Sequence, residues 1–139
     1  MGNGMATLSA GRVLVVDDDR TLADTLVTCL NQNGFDADAV YTAPEAIERA
    51  VNSRPDSIVM DVFLNGIDGV DAAIAICETI PGSRILLISG NDEAYKRLEK
   101  GAVRGHHFDL LMKPIQPSCL FKRLRTKDNK CCDGSNWAA

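Results

Sequence analysis

No apolar run in the 139-residue sequence approaches the roughly 20 residues that a membrane-spanning helix requires. The N-terminal MGNGMATLSAGR also lacks the apolar core of a secretory signal, so a soluble, cytoplasmic protein without membrane contact is expected. Basic residues are too few for a general nucleic-acid binder: 15 Lys and Arg stand against 19 Asp and Glu, a net charge of −4, whereas affinity for phosphate backbones rests on clustered cations. The one basic cluster, Lys122, Arg123, Arg125, Lys127 and Lys130, reads as charge placed at a helix C-terminus to complement the macrodipole. Direct nucleic-acid binding is therefore not expected. CxxC spacing is absent and the five cysteines are an odd number. Cys29, Cys77 and Cys119 fall on the apolar faces of predicted helices, as small buried hydrophobes in a reducing compartment. Cys131 and Cys132 are expected as exposed thiols in a polar tail. No internal repeat interrupts the pattern.

What is present is an alternation of short apolar runs and helical periodicity. RVLVV is followed by TLADTLVTCLNQNG, with Leu22, Leu26, Val27 and Leu30 on one face and Gly34 closing the helix. The weak strand DADAVY precedes Thr42 and Glu45 at capping-box spacing, with Pro44 tolerated in the first turn and the helix ending near Ser53. SIVM, VDAAIAICETI, RILLIS, NDEAYKRLEKG and FDLLM continue as strand, helix, strand, short helix and strand, and Pro117 opens a last helix ending near Arg125. Five such units with nearly continuous Val, Ile and Leu strands describe an α/β fold, a doubly wound five-stranded parallel sheet with helices on both faces. With 45% hydrophobic residues the chain can build one core. Residues 1–10 read as a flexible segment, 11–126 as the domain and 127–139 as a polar tail.

The chemistry collects where strands end. VLVVDDD (13–19) runs a buried strand into three carboxylates, which repel and raise one another's pKa unless a cation sits among them. In doubly wound sheets ligands bind beyond the carboxyl ends of the strands. There the first strand ends in Asp17, Asp18 and Asp19, the third in Asp61, the fourth in Ser89-Gly90 and the fifth in Lys113-Pro114. Each alone has an ordinary explanation: Asp19, ahead of Leu22 and Leu26, reads as a helix N-cap, a Ser closing a strand is usually a turn former, and a Lys before Pro is usually solvated. Their order along one rim is what implies a divalent cation among the acids. His106 and His107, adjacent to each other, lack metal-ligand spacing.

The set VLVVDD (13–18), IVMD (58–61), LNGIDG (64–69), LLISG (86–90) and LLMKP (110–114) resembles the receiver domains of two-component response regulators, over roughly Arg12 to Arg125. That resemblance implies a flavodoxin-like strand order 2-1-3-4-5 and an aspartyl phosphate formed on Asp61. It further implies Mg²⁺ held by Asp18 directly, by Asp17 through water, by Asp61 and by the Phe63 backbone carbonyl. Ser89 takes the position of the switch hydroxyl, and Lys113 pairs with the acceptor and then with the phosphoryl oxygens. The Lys113-Pro114 bond is cis in the family, as suits a proline. The implied partners are a histidine kinase or histidine phosphotransfer protein, and a downstream protein or an output domain outside this chain. A phosphorylation-linked homodimer is compatible with this reading.

Two positions depart from the family pattern. Asn65 stands where Pro is common, with GIDG expected to keep the tight turn, and Leu110 replaces the usual aromatic that moves with the switch hydroxyl. Phe63 is expected to shield the acyl phosphate from water. Three other functions fit the residues less well. A small aspartyl-phosphate phosphohydrolase would carry a second carboxylate at position 63 and a cap insertion. A flavodoxin-like cofactor binder would need a Gly-, Ser- or Thr-rich loop where DDDRT stands. A degenerate receiver acting by phosphorylation-independent contacts would have lost some of the chemical residues, all of which are here.

Overall fold

The computed structural model describes residues 10–126. The flexible ends expected at 1–10 and 127–139, Lys127, Lys130 and the Cys131-Cys132 pair lie outside the described residues, Ala10 excepted. Strands β1 (Arg12–Val16), β2 (Asp36–Val40), β3 (Ser57–Asp61), β6 (Arg84–Ser89) and β7 (Asp109–Met112) form a parallel sheet in the order β2-β1-β3-β6-β7. This is the 2-1-3-4-5 order of the five principal strands. The helices are α1 (Arg20–Gln32), α2 (Ala43–Ser53), α3 (Gly69–Thr79), α4 (Ala94–Val103) and α5 (Pro117–Arg125).

Side chains of adjacent strand residues point to opposite faces, and here both faces are covered. Leu14, Val16, Ile58, Met60 and Leu87 pack with Ala46 and Ala50 of α2 and with Val70, Ala73 and Ile76 of α3. Val13, Val15, Val59, Leu86 and Ile88 pack on the other face with Ala23, Leu26 and Leu30 of α1 and Leu120 and Leu124 of α5. This two-sided burial is why the strands read as unbroken apolar runs.

The local stops are those the sequence announces, with exceptions. Asp19 caps α1 by accepting from the Leu22 N–H at 3.1 Å. Asn33 is the C-cap, and Gly34 at φ +91° lets the Phe35 N–H return to the Leu30 carbonyl, a Schellman closure in which Leu30 and Phe35 share one core. Half of the capping box forms as spaced: Glu45 N–H donates to the Thr42 hydroxyl, while the Glu45 carboxylate accepts from that hydroxyl and from the N–H of the preceding Tyr41 rather than from the Thr42 N–H. In α4 the sequence places a helix over 91–101, but Asn91 and Asp92 stay in a turn and the helix continues through Gly101 to Val103. Gly101 is tolerated because it lies close against Val70 of α3. Cys29 and Cys77 are half-buried as expected, but Cys119 is exposed: the core-facing spacing of α5 falls on Leu120 and Leu124. The basic cluster is partly internal: the Arg123 guanidinium pairs with buried Asp109, and Arg125 donates to the Asn33 carbonyl at 2.9 Å, at the C-terminal end of α1.

The larger departure is a small antiparallel hairpin between β3 and α3, β4 (Phe63–Leu64) and β5 (Ile67–Asp68). Its two-residue turn is Asn65-Gly66, at φ +50° and +83°, the doubly positive pattern favoured in tight hairpins. The tight turn thus centres on Asn65-Gly66 rather than on GIDG as a whole. Gly69 has a separate task, because a Cβ there would collide with the Asp61 carbonyl oxygen and come within 2.9 Å of Val62 Cα. Gly69→Ala is expected to lower the unfolding free energy by about 3 kcal/mol, the upper part of the range for overpacking. Gly82, with open space around its Cα, supplies the control: in urea titrations Gly82→Ala should remain near wild type.

Candidate functional site

The parallel register brings the strand ends level. Val16 pairs with Met60, so Asp17 and Asp61 leave neighbouring strands side by side, and Ser89 pairs with Met112 at the ends of β6 and β7. Asp17 is fully buried and Asp61 is 6% exposed, while Asp18 faces solvent. One carboxylate oxygen from each of Asp17, Asp18 and Asp61 lies within 4.8 Å of the other two. The three acids expected to hold a cation are thus together.

Lys113 sits against two of them. Its ammonium donates to Asp61 Oδ2 at 2.8 Å and lies 3.1 Å from Asp17 Oδ2. The remaining oxygens are held by backbone: Asp17 Oδ1 accepts from Asp19 N–H, Asp61 Oδ1 from Phe63 N–H, and Asp18 Oδ2 from Asn65 N–H, at 2.9, 3.0 and 2.9 Å. Asp17 Oδ2 is buried without an aligned hydrogen bond. Burial raises the Asp17 pKa above the ordinary carboxylate value, and the Asp61 charge adds to this, against the Asp19 N–H and the Lys113 ammonium. For Lys113, burial works to lower the pKa, but the hydrogen bond and charge of Asp61 and the charge of Asp17 outweigh it and hold the pKa up. The Lys113-Pro114 peptide is cis.

Ser89 is fully buried, and its hydroxyl is committed to Asn91, accepting from the backbone N–H at 3.0 Å and donating to the carbonyl at 3.2 Å. It stands at the same rim without a hydrogen bond to the acids. Leu110 is fully buried in the core. His106 stacks on Phe108 and lies 3.8 Å from Glu78, apart from the acidic group.

Residues that the sequence reading passed over complete the surroundings. Asp68 faces Phe63 across the hairpin and caps α3, its Oδ1 accepting from Val70 N–H at 2.8 Å. Its Oδ2 accepts from Lys100 Nζ at 2.8 Å and lies 3.1 Å from the Arg97 guanidinium, which stands 4.8 Å above the Phe63 ring. The Asn-Gly pair flanked by apolar residues was the available signal for the hairpin, and an Asp directly before a helical run was the signal for the cap. Nothing local announces Arg97 and Lys100 as its partners, since they come from a distant helix.

Rim, register and acidic group match a known family. The family profile described as response regulator receiver domain matches residues 13–125. The chain belongs to that family. Response regulator MprA of Mycobacterium sp. (strain KMS) is 32% identical over 117 residues, which are 82% of this chain and 49% of that protein. The chain thus spans about half the length of the curated relatives it matches. Among solved structures, a CheY-like receiver domain protein from Methanospirillum hungatei superposes with a TM-score of 0.74 at 21% identity, covering 82% of this chain and 90% of the other. A response regulator from Burkholderia pseudomallei, solved with a phosphorylated aspartic acid, a calcium ion and citrate, gives 0.73 at 24% identity, covering 83% and 66%. At these identities the structural likenesses speak for the fold. Among the described residues of this receiver domain, no helix is long and apolar enough to cross a membrane.

Burial works to raise the Asp68 pKa, but hydrogen bonds from Lys100, Val70 N–H and Arg97 outweigh it and hold the value below the ordinary range. A lowered carboxylate contributes stability that is full above the unfolded value and is lost as pH falls through the folded one. Because Asn retains the cap and discards the charge, Asp68→Asn should cost about 1 kcal/mol at neutral pH, the scale of a partly exposed ion pair. Urea titrations across the acid range should show the gap to wild type closing as pH falls below the ordinary carboxylate value.

Proposed function

We propose that this receiver domain accepts a phosphoryl group on Asp61 from a histidine kinase or histidine phosphotransfer protein and changes its protein-binding surface in response. The observation that carries this reading is the Lys113 ammonium shared between Asp61, at 2.8 Å, and buried Asp17, at 3.1 Å, beside Asp18. In the reaction an Asp61 carboxylate oxygen attacks the phosphorus of a phosphohistidine. The phosphorus–nitrogen bond breaks, the imidazole leaves with its electron pair, and an acyl phosphate remains. Lys113, already on Asp61 Oδ2, follows the charge onto the phosphoryl oxygens, where a fixed cation stabilises transfer.

The donor set fits a magnesium ion, which takes oxygen ligands and keeps several waters. Three carboxylates converge within 4.8 Å, and buried Asp17 Oδ2 has no aligned hydrogen bond. Asp17, Asp18, Asp61 and the Phe63 carbonyl would hold the ion, which when bound neutralises charge on the transferring oxygens. Ser89 is one strand away, and exchange of its bond to Asn91 for a phosphoryl oxygen is the proposed switch. Residues 11–126 act as one signalling module in the cytoplasm. Output goes through a protein partner or a domain outside this chain, with dimerisation on phosphorylation as one route and no direct contact to nucleic acid.

Beryllofluoride with Mg²⁺ mimics the acyl phosphate and tests the reading. Mg²⁺ alone should shift amides near the acidic group; adding beryllofluoride should produce a further change reaching Ser89 in wild type, and no further change in Asp61→Asn. Wild type unaffected by the pair would indicate a degenerate receiver working through constitutive contacts. The Phe63 ring, packed on the core beside the acceptor, is proposed to shield the acyl phosphate. Loss of radiolabel from phosphorylated protein should accelerate about tenfold in Phe63→Asn, a change of about 1.4 kcal/mol in barrier, and an unchanged rate would remove that role.

A further inference from the structure

Helix α4 is held to the domain in an unusual way. Its buried residues are Ala94 and Gly101, which offer almost no side chain to the core, with Leu98 only partly buried. A helix with so little buried apolar surface is easily displaced. In its middle, polar contacts from Arg97 and Lys100 land on carboxylates at the start of α3, chiefly Asp68. Lys100 reaches Asp68 at 2.8 Å and Asp71 at 3.1 Å, and Arg97 reaches Asp68 at 3.1 Å while covering the Phe63 ring at 4.8 Å.

The far side of this clamp is chemically connected to the acceptor. Phe63 N–H donates to Asp61 Oδ1 at 3.0 Å, and Phe63 pairs directly with Asp68 across the hairpin. Gly69 N–H returns to the Val62 carbonyl at 2.6 Å, and Asp68 itself begins α3. The peptide that carries the ring under Arg97 is thus bonded directly to Asp61 Oδ1. Leu110, buried and aliphatic, offers no ring to move with Ser89.

We propose that Arg97 and Lys100 are positioning residues that couple Asp61 to α4 through Phe63 and Asp68, so that the helix responds to phosphorylation by way of this clamp. The inference rests on the receiver reading above and adds a route for its signal. It is separate from the start of α4, where Ala94 N–H donates to the Asn91 carbonyl and Asn91 holds Ser89.

The test is the amide-shift response to beryllofluoride with Mg²⁺ in wild type, in Arg97→Met combined with Lys100→Met, and in Arg97→Lys. The expected result is that the double variant loads with the same midpoint at residues 61–64 and 89–91. Its response along 95–103 should drop by about half or more, and Arg97→Lys should recover most of it. A full α4 response in the double variant overturns the coupling while leaving the receiver reading intact. A folded double variant that no longer loads also overturns it, since the two residues would then serve the loading step itself. Wild type that does not load removes the receiver reading and the coupling with it. If the double variant does not fold, Arg97→Met alone is judged by the same criteria.

Discussion

One lysine between two buried carboxylates is the constraint around which the rim is built. Asp17 and Asp61 emerge from adjacent parallel strands with almost no access to water, and like charges so placed are costly. Lys113 offsets that cost for Asp61 by direct hydrogen bonding and for Asp17 by proximity alone. Burial, with the Asp61 charge, still leaves the Asp17 pKa above the ordinary carboxylate value. The group is therefore better suited to holding added positive charge than to standing alone.

The fold supplies the positions. Parallel pairing sends all five strand ends to one edge, and helices on both faces bury the strands so completely that the rim is the accessible place for polar side chains. The hairpin after β3 adds backbone to the same edge: Phe63 N–H and Asn65 N–H each fix one carboxylate, on Asp61 and Asp18. Gly69 permits the chain to turn back against the Asp61 carbonyl. Asp61, the hairpin and the start of α3 are thus joined by close backbone contacts, and Asp68 extends them to α4 through Lys100 and Arg97.

Much of this was legible in the residues. Period and composition fix the central strands because two-sided burial leaves them apolar, while the edge strand β2, DADAV, reads weakly because its Asp36 and Asp38 are exposed, and Asp19, Thr42 and Glu45 declare their helix ends by local chemistry. The acids, Ser89 and Lys113 could be placed on one rim because strand ends in a doubly wound sheet have a common destination. The β4–β5 hairpin escaped because two-residue strands have no period to read, although Asn65-Gly66 carried the turn. Cys119 lies one helical position from core-facing Leu120, a rotation of about 100° that turns its side chain outward. The Asp68 clamp and the Arg123–Asp109 pair were invisible because they join residues far apart in sequence, and single charges on helices usually face water.

Whether this rim is a phosphoacceptor with Asp61 as its nucleophile is tested most directly by incubation with a small-molecule phosphodonor such as acetyl phosphate and Mg²⁺, followed by intact-mass and peptide mass spectrometry. One added phosphoryl group is expected, on the peptide containing Asp61, removed by hydroxylamine and absent without Mg²⁺ or in Asp61→Asn. A phosphoryl group on another residue, or equal labelling of Asp61→Asn, would contradict it.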